Sequence, residues 1–561
     1  MFSSHSLYPK HFQFYSNLLI IYSIFTKFVT KYHQLIFWLV FIISLFSRFL
    51  YLDKYPVSLN WDEISHGYNA YSLLKTGRDQ WGKTLPIFNF RAYGDYPTAL
   101  NLYLTIPFVA AFGLNAMALR FPAAILGFLF TWLLYFLCKF ITKSQILGLI
   151  AFIIASFSPW TFFTSRAVFQ SNLAQFFLSF GILLFLYSFK KKIFSIPSAL
   201  LLGLSMYSYH NTRIVTPLLV LLLFIIYRQF KKSYLPFLLI FLIMALPNLI
   251  NLISPESLAR NRWVGIINPV SINLLNERRR LFDGPPFFNI LVNNKVTYFI
   301  YQFGVNILNF FNPFPLFFSG SQNYQFNPPH TGLLYIFLLP FFYFGIYICL
   351  RNFTKNKNYS FISIAFLISL IPAALTTGDF PSIRLSISTP FIYLFIVLGL
   401  SPFVSKFKTY FLPLFFILSL TFFFKYLFIY KNYCQTYAAA WQSGYSEAIS
   451  YIKPLYSQYN QIVFTKKYGE PHQFLLFYWP WDPASYQNDP KLNTDFHSDW
   501  YWVNAFDKFI FLNDWEIKNF IPTKNTLMVT GPNNYPPLSS KLLKTLYYPD
   551  KSPVFDIVAY E

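Results

Sequence analysis

Two carboxylates stand side by side at positions 62 and 63, in the run LNWDEISHGYNAYSLL (residues 59–74). A carboxylate within hydrogen-bond reach of a hydroxyl can take its proton while that oxygen attacks, so either acid is a candidate general base. Their local settings differ. Asn60 is a good helix N-cap, and Glu63, three residues later, completes a capping box, which gives Glu63 a structural use. Asp62 is not needed for that cap; it either complements the helix dipole or serves chemistry. A third acid, Asp95 in RAYGDYP, either orients a substrate or caps the turn before Pro97. His66 falls one helical turn after Asp62, where it can hydrogen-bond the aspartate or sit in solvent. Cations accompany these acids: Lys83 and Arg91 in the same stretch, then Arg166, Arg213 with His210 ahead of it, and Arg384 in GDFPSIRLS.

The elements that must hold these groups are membrane helices. The chain has 561 residues, 55% hydrophobic, 22% aromatic and only 12% charged, with mean hydropathy +0.41. Its apolar residues come in blocks of about 18 to 22, long enough to cross a hydrocarbon core as helices. The period-two alternation of a membrane β-barrel is absent. A net charge of +23 would suggest nucleic acid in a soluble chain, but here the lysines and arginines cluster in short gaps between apolar blocks, as at Lys190 to Lys192 and at Arg228, Lys231 and Lys232. The positive-inside rule places those gaps in the cytoplasm, and no nucleic-acid partner is expected. Cys138, Cys349 and Cys434 offer neither a disulfide framework nor metal-type spacing.

Eleven spans follow, near 34–52, 118–138, 144–161, 168–189, 196–210, 213–227, 234–253, 331–350, 359–377, 383–402 and 409–430. Residues 1–33 read as a cytoplasmic or interfacial N-terminus and 34–433 as the membrane domain. Segments 53–117 and 254–330 are outer loops with interfacial helices. Residues 434–561 carry β-type runs (QIVFT, FLLFYW, KFIFL, TLMVTG, FDIVAY) among polar or helical stretches and read as an extracytoplasmic α/β domain. All 21 Asp and Glu then fall outside. Acids contribute little to the positive-inside rule, so this asymmetry is an independent sign of outward-facing chemistry. Arg166, Arg213 and Arg384 lie near the outer ends of three spans; each alone reads as an interfacial anchor.

In sequence order, a first span, WDE, a Tyr- and Ala-bearing helix, GDYPTALNLYL and LRFPAAILGFL resemble the lipid-linked-sugar glycosyltransferases of the GT-C fold. Protein O-mannosyltransferases, bacterial aminoarabinose transferases and the RgtA/B/C/D-like proteins of bacterial envelopes are the nearest in kind. SPWTFFTSRAVFQSN and YSYHNTRIVTPLLV also look like bacterial members. The resemblance is good to about residue 215 and holds in outline beyond. It implies inverting transfer of a sugar from a polyprenyl-phosphate donor to a hydroxyl of an envelope lipid, glycan or protein, at the outer face of the plasma (inner) membrane. The aspartate of the first outer loop, the family's general base, maps onto Asp62, with Glu63 and Asp95 supporting. The departing phosphate calls for cations, and arginine's planar fork suits it. Arg384 is the first choice and Arg213 the second; Arg166, Lys83, Arg91, His66 and His210 complete the expected substrate-binding set. No cofactor is firmly expected. No cluster has zinc or magnesium spacing, although some GT-C enzymes use a divalent ion. Two rivals make different demands. A transporter or flippase of a lipid-linked sugar wants charged or broken helices at mid-membrane, and a non-catalytic scaffold predicts that Asp62 is dispensable.

Overall fold

The computed structural model describes residues 32–561; the N-terminal segment expected to be interfacial, with Lys27 and Lys31, lies outside the described residues. Helix α1 (Tyr32–Phe49) is followed by α2 (Trp61–Thr76), α3 (Leu100–Phe112) and α4 (Ala116–Thr142). Helices Gln145–Phe157, Gln170–Tyr187, Ser195–Ser208, Thr212–Tyr227 and Leu235–Asn251 come next, then Leu339–Arg351, Lys357–Ala374 and Thr389–Thr436. Among the described residues, seven helical stretches are long and apolar enough to cross a membrane, the last two of them (Ser382–Phe407 and Tyr410–Thr436) lying largely within Thr389–Thr436, and four shorter apolar helices accompany them. Membrane helices pack here largely through aromatic and branched side chains, with small residues at close approaches.

One expectation fails in this region. The sequence ends one expected span at residue 402 and begins the next at 409, but Thr389–Thr436 runs through that gap as a single helix of 48 residues. The stretch SPFVSKFKTYFLP has no Gly, Asn or Asp to reverse the chain, and Pro402 and Pro413 are accommodated inside the helix. A helix interior tolerates a proline at the cost of a bond and a kink.

The stretch from 254 to 330 forms four α-helices, Pro255–Val264, Pro269–Leu281, Pro286–Val292 and Lys295–Asn309, and a short π-helical turn at Pro315–Ser319. Beyond the long helix, residues 461–560 build a seven-stranded sheet in the order β2-β3-β4-β1-β5-β7-β6. Its strands are β1 (Gln461–Thr465), β2 (Asn493–His497), β3 (Trp500–Phe506), β4 (Phe509–Leu512), β5 (Thr526–Thr530), β6 (Lys541–Tyr547) and β7 (Pro553–Tyr560). Central β1 pairs in parallel with β4 and β5; the other pairings are antiparallel. FLLFYW, expected as a strand, is instead most of helix Pro471–Tyr478, with Pro471 in its first turn. It is apolar all round because one side packs on the sheet and the other on α2. A short run buried on every side has no periodicity to separate helix from strand.

That helix is the seam between the two halves of the protein. Ile64 and Tyr68 of α2, Leu119 of α4, Phe474 and Phe477 of the seam helix and Ile462 and Phe464 of β1 form one buried cluster. Gly67 permits it: a Cβ there would lie 2.6 Å from Leu119 and 2.8 Å from Phe477.

Candidate active site

The start of α2 is built as the sequence suggests. The Asn60 side chain accepts from the Glu63 amide at 2.9 Å, and the Asn60 amide donates to Glu63 Oε2 at 3.3 Å, closing the capping box. Glu63 is then fully committed. Its carboxylate meets Arg120 in a two-pronged ion pair, Nε to Oε1 at 2.9 Å and Nη2 to Oε2 at 2.9 Å, and accepts the Val168 amide at 3.2 Å. Both side chains are buried, at 0% and 1% exposure. Arg120 further donates to the carbonyls of Leu52, Pro56 and Ser58, so one guanidinium ties the loop after α1 to the first turn of α2. Glu63 is therefore a positioning residue: no lone pair is left to meet a substrate, which corrects its expected supporting role in catalysis.

Asp62, its neighbour, is exposed. Its carboxylate charge is felt by Tyr93, whose hydroxyl donates to the Trp61 carbonyl at 2.8 Å. Burial, then the negative charges of Asp62 and Glu470, push the Tyr93 hydroxyl well above its ordinary range. His66 bonds the aspartate's backbone rather than its carboxylate: Nδ1–H donates to the Asp62 carbonyl at 2.7 Å. Burial holds the His66 imidazole below its ordinary pKa, against the opposing pull of that bond and of Glu63 and Asp95. The ring is neutral near pH 7, with Nδ1 protonated. Asp95 is half-buried and accepts from the Tyr96 amide at 2.8 Å, and His66 senses its charge. Asp62, His66 and Asp95 thus share one neighbourhood.

The cations divide into structural and site-facing groups. Arg166 is 2% exposed and donates to the carbonyls of Ser47, Arg48, Leu50, Tyr51 and Tyr55. These acceptors lie at the end of α1 and in the turn beyond it, where a cation also meets the negative end of the helix dipole. All five acceptors are carbonyls, so the expected phosphate contact is not available at Arg166. Arg48, which the sequence did not single out, does the same for Ala155 and Ser156 at the end of Gln145–Phe157. Lys83 is half-exposed and pairs with Glu256 at 3.7 Å. Arg91 lies over the rings of Tyr501 (4.2 Å) and Trp81 (5.3 Å).

Arg384 borders open space, and Arg213, itself fully buried, approaches it through Ser257. Arg384 lines a cavity of about 260 Å³ with Tyr209, Ser321, Asn323 and Asp379, and another of about 160 Å³ with His210 and Ser257. Arg213 reaches that second cavity's wall by donating to Ser257 Oγ at 3.3 Å and is held from behind by Asn89 Oδ1 at 2.7 Å. Asp62 lines neither cavity. The two regions are joined by consecutive residues of one extended segment: Asn89 holds Arg213, while Phe90 packs edge-on against His66 at 5.1 Å. Among the described residues, no group of three or more His, Cys, Asp and Glu is placed to hold a metal ion.

The C-terminal half contributes what the sequence did not signal. Gln442 accepts from the Trp61 amide at 2.8 Å. Trp500 donates from Nε1 to buried Glu470 at 2.5 Å and lies flat on Tyr93. Gly94 is required where the two halves touch, because a Cβ there would sit 2.0 Å from the Asp499 carbonyl oxygen.

Residues 98–251 match the family described as dolichyl-phosphate-mannose-protein mannosyltransferase. No protein of curated function matches the chain in sequence. Among solved structures, apo ArnT from Cupriavidus metallidurans superposes with TM-score 0.52 at 9% identity, covering 93% of this chain and 97% of that one. The same protein bound to undecaprenyl phosphate gives 0.47 at 11% identity, with the same coverage. The archaeal oligosaccharyltransferase AglB from Archaeoglobus fulgidus gives 0.47 at 13% identity, over 80% of this chain and 64% of its own. The chain is a membrane protein with the GT-C fold and a C-terminal sheet domain, and its residues 98–251 carry the signature of the dolichyl-phosphate-mannose-protein mannosyltransferases.

Proposed function

We propose that this protein is a glycosyltransferase that moves a sugar from a polyprenyl-phosphate donor to a hydroxyl of an acceptor in the cell envelope, with inversion, on the outer face of the plasma membrane. The observation that carries the reading is the division of labour between adjacent acids. Glu63 is locked into the architecture by Arg120, while Asp62 stays exposed at the start of the same rigid helix. The family match of residues 98–251 supports a polyprenyl-phosphate donor.

In this reaction the acceptor oxygen attacks the anomeric carbon, a new C–O bond forms and the bond to the phosphate oxygen breaks. Asp62 takes the hydroxyl proton as attack proceeds. The phosphate leaves with its bonding electrons, and Arg384, with Arg213 beside the adjoining cavity, offsets the charge that develops on it. Asp95 and neutral His66 shape the surroundings of Asp62; Lys83 and Arg91 hold the loop that carries Asp95.

The test is transfer of radiolabelled sugar from polyprenyl phosphate into membrane extracts by purified wild type and Asp62→Asn. Removal of a general base lowers the rate by about 10²- to 10⁴-fold. Equal labelling by both proteins removes Asp62 from the mechanism, and no labelling with any donor favours a scaffold.

A further inference from the structure

Where the sheet domain meets the acidic helix, three rings form one stack. Tyr93 lies parallel to Trp500, with centroids 5.4 Å apart and planes 7° apart. Trp263, from helix Pro255–Val264, adds a third ring to Trp500 at 5.5 Å and 30°. The inner part is fixed: the Tyr93 hydroxyl donates to the Trp61 carbonyl and the Trp500 indole to buried Glu470. The outer end is open, since Trp263 is 42% exposed. Beside it stand a guanidinium and a carboxylate, Arg262 and Asp499, 4.0 Å apart and 68% and 49% exposed. Asp62 follows Trp61 directly, and Trp61 is itself 6.1 Å from Trp500.

A flat, rigid π-face rimmed by a carboxylate and a guanidinium matches one chemistry closely. A pyranose ring presents C–H bonds on its face, which lie against the negative face of an aromatic ring, and hydroxyls around its perimeter, which bond to charged groups. A lipid chain would cover the ring but offer no polar group to the Arg262–Asp499 pair beside it. A peptide would pair with the exposed edge strand β2, whose backbone lies outside the stack.

We propose that the Tyr93–Trp500–Trp263 stack is an acceptor subsite for a saccharide, so that the hydroxyl presented to Asp62 belongs to a glycan. This rests on the glycosyl-transfer reading above and assigns the C-terminal domain a direct part in choosing the acceptor.

The experiment measures binding by the full-length protein in detergent, without donor, so that it does not depend on catalysis. The probes are a linear mannotetraose, a linear tetramer of N-acetylglucosamine and a serine-containing pentapeptide, followed by tryptophan fluorescence and equilibrium dialysis. Wild type binds one of the tetrasaccharides saturably. Trp263→Ala weakens that binding by about three- to ten-fold, the worth of one aromatic contact, and Trp263→Phe keeps most of it; thermal midpoints of both variants stay at the wild-type value. Absence of tetrasaccharide binding by wild type, unchanged binding by Trp263→Ala, or binding of the peptide alone overturns the subsite. Any of these results leaves the separate Asp62→Asn transfer result standing, and a failure of that transfer test leaves the binding result standing.

Discussion

Replacing Glu63 by Gln should damage the protein's stability, whereas replacing Asp62 by Asn should damage only its chemistry, although the two residues are adjacent. Glu63 and Arg120 are both buried. Neutralising one member of a buried, hydrogen-bonded ion pair leaves the other charge uncompensated and costs about 3 to 5 kcal/mol. Arg120→Met removes the same pair and also orphans the carbonyls of Leu52, Pro56 and Ser58. At about 1 kcal/mol for each lost hydrogen bond, it should be the worse of the two by up to about 3 kcal/mol. Asp62 is exposed, so Asp62→Asn should stay within about 0.5 kcal/mol of wild type. The order of thermal midpoints, followed by tryptophan fluorescence of the purified protein, should be wild type and Asp62→Asn together, then Glu63→Gln, then Arg120→Met. A Glu63→Gln protein as stable as wild type, or an Asp62→Asn protein as unstable as Glu63→Gln, refutes the division of roles on which the proposed mechanism stands.

The cations should separate in the same way. Arg384→Ala should lower kcat/KM for the donor by about ten- to a hundred-fold, the loss of one hydrogen bond to a charged group, with its thermal midpoint little changed. Arg166→Met should lower the midpoint strongly while the surviving folded protein keeps its donor KM, because all of its partners are carbonyls near the end of α1. His66 gives a signed pH effect: its folded pKa lies below the ordinary 6.5, so in acid the unfolded chain takes up a proton that the folded one does not. Stability should therefore be complete above pH 6.5 and fall as pH drops from there toward the folded pKa, and His66→Asn should flatten that slope in acid-unfolding curves. Gly94→Val should force residues 93–95 away from Asp499, loosening the Tyr93–Trp500 stack; a red shift of tryptophan emission with reduced transfer is expected, and an unchanged spectrum with full activity would contradict it.

Much of this architecture was legible because it is written in local terms. The capping box at Asn60 and Glu63 follows from residue type and spacing alone, as do β1, β5 and the apolar helices. Roles set across the fold were not legible. Arg120 and Arg166 look alike in sequence, each an arginine near the end of an apolar segment, yet their partners lie more than 50 residues away in the chain. The hairpin β2–β3 escaped notice for another reason. Its outer strand is exposed throughout and so shows no alternation, and its turn is Ser498–Asp499, both at left-handed φ of 54° and 57°, without the Asn-Gly pair that usually marks such turns. Arg384 stands out in the sequence because it sits apart from the basic clusters, but the cavity it lines depends on Tyr209, Ser321 and Asn323, brought in from distant loops.

The cluster shared by α2, the seam helix and β1 bears on how far this protein is modular. A sheet domain hung on a flexible linker can be exchanged between relatives to alter what is modified. Here an exchange would strip Ile64, Tyr68 and Leu119 of their packing partners and set a foreign side chain against Gly67. A working chimera would have to carry α2, the 89–96 loop and the start of α4 along with the incoming sheet. Selection for a new acceptor should accordingly act on the helix that carries Asp62 and on the C-terminal sheet as one inherited unit.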